Sequence, residues 1–184
     1  MVKMMVGAVA LVALAGCSTY SVSRYAISAD NVVALRSLQG QKVGVGEFTS
    51  SPKNEKTGAD LAEIMCRGVG PIKTPDGESF ASYIKKAMVD EMKMAEIYAP
   101  DAATAISGNL DAIDFSSAGG HWDMRLTLKS SNGRSMSLTE SYPYTTSFYG
   151  ETACNQTAQA LMPAVQDLVG KAVRSPEFKT LVAQ

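Results

Sequence analysis

The sequence predicts an α+β domain, with a mainly antiparallel sheet of about four strands and two long helices packed on one face. Two amphipathic stretches and one strand–turn–strand unit carry that reading. Over residues 79–98, Phe80, Tyr83, Ile84, Ala87, Met88, Met92 and Ala95 recur at intervals of three and four. Lys85, Lys86, Asp90, Glu91 and Lys93 take the other side. That spacing puts the apolar residues on one stripe of a helix, and Ser79 supplies its cap. Over residues 150–173, Cys154, Ala158, Leu161, Val165, Leu168, Val169 and Ala172 form a second stripe. Between the two, Trp122, Met124, Leu126 and Leu128 alternate with Asp123, Arg125, Thr127 and Lys129, the period of a strand with one buried face. Ser130-Ser131-Asn132-Gly133 reads as a hairpin turn, with Asn-Gly supplying positive φ angles. Residues 136–148 answer it, with Met136, Leu138, Tyr142 and Tyr144 on one parity.

The remaining elements are weaker. Ser28-Ala29-Asp30-Asn31 offers capping residues before Val32, Val33, Leu35 and Leu38, which predicts a short helix ending near Gly40. Residues 42–50 read as the first strand. Gly44 and Gly46 share one of its faces and leave room for a close neighbour. Residues 51–77 read as an inserted loop, with a short helix over 59–65. Residues 104–117 read as a strand that changes phase between Ala112 and Ile113, the mark of a bulge. Pro163 is expected to kink or break the last long helix. Ser175-Pro176-Glu177 reads as a capped restart.

The organising stretch for domain layout is Leu14-Ala15-Gly16-Cys17. Lys3 precedes an apolar run that is too short to cross a bilayer and fits a signal peptide. The four residues resemble the lipobox of bacterial lipoproteins. That resemblance implies cleavage before Cys17, acyl chains on its thiol and amine, and anchoring in a membrane. Ser18 is not aspartate, so in a Gram-negative host the resemblance implies the outer membrane, facing the periplasm. The layout is then a signal peptide over 1–16, a lipidated N-terminus with tether and short helix over 17–41, and one α/β domain over 42–184.

A formal charge of −1 with no basic run argues against nucleic acid as a partner. Cys66 and Cys154 remain once Cys17 is lipidated. In an oxidising compartment the pair predicts a disulfide, and two buried free thiols are the alternative. The search for chemistry yields little. Gly44 to Gly46 lacks the rest of a phosphate loop. His121 is the lone histidine and sits on the outward parity of its strand. Asp111 and Asp114 lie on a bent strand and need not share a face. No metal-ligand spacing appears, and no cofactor is expected. Pro143 in an aromatic strand points to a sheet edge, where Tyr142, Tyr144 and Tyr149 either offer a surface for a partner strand or peptide or pack as core tyrosines.

The element order behind the lipobox is similar to that of YajG-type lipoproteins. More distantly, it resembles the curli-secretion lipoprotein CsgG, the TolB N-terminal domain and the penicillin-binding-protein activator LpoB. The resemblance rests on element order, the Ser131-Asn132-Gly133 turn and the closing Pro176-Glu177-Phe178 segment. It implies a binding or scaffolding module with no catalytic residues. The expectation is a non-catalytic envelope lipoprotein acting as an accessory or interaction module of an envelope assembly. The alternative is a carrier of lipids or small molecules using the space between sheet and helices.

Overall fold

The computed structural model describes residues 19–51 and 62–183. Its elements run β1 (Tyr20–Ser21), α1 (Ala29–Arg36), β2 (Val43–Ser50), β3 (Glu63–Cys66), β4 (Gly70–Lys73), α2 (Phe80–Met94), β5 (Thr104–Ser116), β6 (His121–Ser130), β7 (Ser135–Pro143), α3 (Gly150–Arg174) and α4 (Pro176–Leu181), with a 3-10 turn at Pro75–Gly77. The class is α+β, with a four-stranded sheet of order β2-β5-β6-β7 and a three-stranded sheet of order β1-β4-β3. The larger sheet is antiparallel except that β2 runs parallel to β5.

Helices α2 and α3 pack on one face of the larger sheet, and α1 lies against both helices. The inner face buries Ile106, Leu110, Trp122, Leu126 and Leu128, against Phe80, Met88 and Met92 of α2 and Leu161, Val165 and Leu168 of α3. Ser79 caps α2 by accepting from the Ser82 N–H at 3.1 Å. The phase change in β5 is a register shift between Leu110 and Ala112. Gly44 fulfils the close-approach reading: a Cβ there would stand 3.3 Å from that of Ala105 and 3.4 Å from the Ala99 carbonyl. Gly46 meets nothing nearer than 3.7 Å. A sharper case is Gly108, where a Cβ would lie 2.5 Å from the Phe48 ring stacked over it.

Four expectations are corrected. The tether is not free chain from Tyr20 onward: β1 pairs with β4, Val22 is buried, and Tyr83 donates its hydroxyl to the Ser23 carbonyl at 2.9 Å. The segment is then pinned to the helices by buried Glu91. One oxygen of that carboxylate accepts from the Tyr25 hydroxyl at 2.6 Å and the Ser28 N–H at 2.8 Å, so α1 is docked by a charge-assisted network. Over its described residues 62–77, the insertion is a hairpin and a 3-10 turn rather than a loop with a helix. Residues 63–66 and 70–73 form a hairpin because Ile64 and Ile72 pair across it and both are buried. Residues 59–61 of the helix expected over 59–65 lie outside the described residues.

The hairpin turn takes positive φ at Gly133 only, not at Asn132. Ser130 and Arg134 close a three-residue loop, and the Asn132 amide reaches the carbonyls of Leu181 and Ala183 at 3.0 and 2.9 Å. A three-residue loop needs one left-handed residue, and Gly133 supplies it. Finally, Pro163 does not break α3, which runs 25 residues through it. An interior proline costs about 3 kcal/mol. Leu161, Val165, Leu168 and Val169 are all fully buried around it, and each stabilises by about 1.5–3 kcal/mol. Burial wins.

Candidate functional site

Strand β7 is one of the two outer strands of the larger sheet, the other being β2. Two hydrogen bonds fix the phase of its ladder: Tyr144 donates to the Gly120 carbonyl at 2.7 Å, and Ser130 donates to the Arg134 carbonyl at 2.9 Å. In an antiparallel pair the bonded positions alternate, so the even-numbered residues of β7 bond β6. Ser135, Ser137, Thr139, Ser141 and Pro143 turn their backbone groups to the open side, and all five are exposed. Pro143 thus falls where no N–H is required. The outward side chains before it are small hydroxyls. None carries the charge with which sheet edges are commonly guarded.

The inner face of β7 is tied to α3. Glu140 is buried and pairs with Lys171 at 2.7 Å. Thr157 holds two aromatic residues. Its carbonyl accepts from the Trp122 indole at 2.8 Å, and its hydroxyl lies 2.7 Å from that of Tyr144. Burial pushes the Tyr144 hydroxyl above its ordinary pKa, so it stays a neutral hydrogen-bonding group. Beside the open edge, Tyr142, Tyr144, Gln156, Ala160 and Pro163 line a groove of about 310 Å³. Pro163 therefore has a place in the site as well as in the helix.

The three tyrosines grouped from sequence separate. Tyr142 and Tyr144 line the groove. Tyr149 is instead the residue before α3, 75% exposed, with its ring against Phe148. It lies beyond the β5–β6 turn that Tyr144 also reaches, next to the α3 start where Cys66 and Cys154 are joined with their Cα atoms 5.9 Å apart. The bridge ties the end of β3 to the first turn of α3. Arg67, the next residue, has a positive φ of 49°. Its guanidinium donates to the Ser117 hydroxyl at 2.8 Å and carbonyl at 2.7 Å, and to the Phe148 carbonyl at 3.1 Å. Sequence reasoning missed Arg67; an arginine beside a half-cystine in a Gly-rich turn was the available signal.

His121 is partly exposed and lies 3.3 Å from Asp123. Asp111 accepts from Asn109 at 2.5 Å and Thr127 at 2.6 Å on the outer face of the sheet. Asp114 faces Asp123 across the β5–β6 ladder, so the bulge brings Asp111 and Asp114 to the same face after all. Among the described residues, no three histidine, cysteine or acidic side chains are grouped to hold a metal ion. Nor is any helix long and apolar enough to cross a membrane. Cys17 lies outside the described residues.

No family model matches this chain, and no curated protein matches it. Among solved structures it is similar to protein XCC0632 from Xanthomonas campestris, of family DUF330. The two are 13% identical with a TM-score of 0.52, and the match covers 85% of this chain and 95% of that one. Such a likeness shows a shared fold alone.

Proposed function

We propose that this chain is a lipid-anchored protein of the bacterial outer membrane, facing the periplasm, that serves as a non-catalytic interaction module of an envelope assembly. The observation that carries the interaction reading is the open edge of β7, with its tyrosine-lined groove. An extended segment of a partner adds to that edge as a fifth strand, held by the outward backbone groups of Ser137, Thr139 and Ser141. Alternate side chains of that segment settle over Tyr142, Ala160 and Pro163. The anchor reading rests on Leu14-Ala15-Gly16-Cys17 and Ser18. The carrier alternative draws no support from the interior, where Trp122, Phe80, Met88 and Met92 fill the space between sheet and helices with no exposure.

The test is Thr139→Pro. The Thr139 N–H faces the open side, so proline removes an edge donor and leaves the β6–β7 ladder whole. Full-length parent and variant are purified from detergent-solubilised membranes after crosslinking. The expected result is a partner captured by the parent and lost from a variant with near-parent melting temperature. Equal capture by both overturns the edge as the site.

A further inference from the structure

At the opposite end of the molecule from the Asn132 turn lies a small apolar surface. Phe148 is 93% exposed, Tyr149 75% and Met65 59%. Phe148 and Tyr149 are held together, and Met65 stands on β3 two residues before Arg67, which bonds to Phe148. Phe148 and Tyr149 pack edge to face, with ring centroids 6.2 Å apart. Arg67 donates to the carbonyl of Phe148, and the neighbouring Val69 meets Gly150, where a Cβ would stand 3.1 Å from its methyl. The disulfide fixes both sides of this cluster. Exposing three large apolar side chains on so rigid a base needs an explanation.

The path of the chain supplies one. β1 runs parallel to β4, with Tyr20 opposite Ile72 and Ser21 opposite Lys73. The chain therefore enters β1 from the end of β4 that lies nearest the turn at Arg67 and Val69. Cys17 is three residues before Tyr20. Three Cα steps span at most about 11 Å. An acyl anchor on Cys17 is thereby held within about 11 Å of the end of β1 nearest this surface.

We propose that Met65, Phe148 and Tyr149 form a membrane-contacting face that seats the domain on the bilayer in which its own anchor is embedded. This rests on the reading of Cys17 as the acylated first residue. Tyr149, an aromatic ring with one polar edge, suits the boundary between headgroups and acyl chains, and Phe148 and Met65 add apolar surface beside it. The contact adds to the acyl anchor and fixes orientation, since acyl chains alone do not set which face of the domain meets the bilayer. With this end against the membrane, the β6–β7 turn and α4 stand away from it. The open edge of β7 then rises from the bilayer, reachable by a partner.

The test uses the lipidated full-length protein in phosphatidylcholine vesicles with brominated acyl chains. Phe148→Trp and Lys179→Trp each place an indole, at the proposed face and on exposed α4 respectively, and the signal of buried Trp122 is subtracted. The expected result is strong bromine quenching and a blue-shifted emission for F148W, with neither for K179W. Vesicle flotation without selective quenching of F148W overturns the membrane face and leaves the anchor standing. Shielding of F148W from aqueous acrylamide without bromine quenching also overturns it, and points to a protein or a second copy on this surface. Failure of the protein to float with vesicles overturns the Cys17 reading, and the membrane face with it.

Discussion

The four-stranded sheet puts Val43, Ile106, Leu110, Trp122, Leu126 and Leu128 wholly out of solvent, while the three-stranded sheet brings Ile64, Cys66 and Ile72 to the core, with Val22 beside them. The small sheet has ten strand residues in segments of two, four and four, too short to present a continuous buried face. It is also fastened, by the disulfide at Cys66 and by the donors of Arg67. Packing makes a region that is stable anywhere; fasteners make one whose stability depends on compartment. The fastened region is also the one from which the chain leaves toward Cys17.

The largest effect is expected in the packed region. Trp122→Ala removes the fully buried indole and its bond to the Thr157 carbonyl, and should cost about 3–5 kcal/mol in urea unfolding. A cost below about 1 kcal/mol would mean that packing is not what holds the large sheet. Next comes the disulfide. Its two cysteines are 88 residues apart, for which chain entropy gives about 4–5 kcal/mol as an upper figure. The C66A/C154A pair should unfold earlier, and limited proteolysis should cut around β3 and β4 first. Cleavage starting in β6 would erase the distinction between the regions.

Arg67→Ala is expected to lower global stability by only about 1 kcal/mol, since the side chain is exposed. Its signature is local, with faster amide exchange in residues 63–73 and little change in α2. The smallest effect is alkaline. Burial, reinforced by Glu91, raises the hydroxyl of Tyr25 well above its ordinary value, and burial does the same for Tyr83. The folded state then holds protons that the unfolded state releases above about pH 10. Stability should be flat across neutral pH and fall above that point. Tyr25→Phe should flatten the fall. A loss of stability beginning below about pH 8 would contradict this source.

The same contrast governs what the sequence discloses. Packing leaves a period, so α2, α3 and β6 are legible from Phe80 to Met92, Cys154 to Ala172 and Trp122 to Leu128. The bulge of β5 and the cap at Ser79 are legible for the same reason: each is a local pattern with a local cause. Fastening leaves no period. β1 has two residues and exists only because β4 is beside it. The β3–β4 hairpin turns at Arg67 in a left-handed conformation that its sequence does not advertise. The parallel pairing of β2 with β5 is a fact of crossover, invisible in either strand alone. Of the candidate site, Pro143 marked the edge correctly, and Tyr142 and Tyr144 lie beside it. Tyr149 was misplaced because nearness in sequence stood in for nearness in space across the turn into α3.

The account depends most on β7 being open, and amide exchange along it is the direct measurement. In the purified chain, Leu138, Glu140 and Tyr142 should exchange slowly and Ser137, Thr139 and Ser141 fast, alternating along the strand. On recovery in the crosslinked envelope complex, those three fast amides should become slow while the rest of the strand is unchanged. Uniform protection along β7 in the isolated protein, or no gain at Ser137, Thr139 and Ser141 in the complex, would contradict the edge as the place where a partner adds its strand.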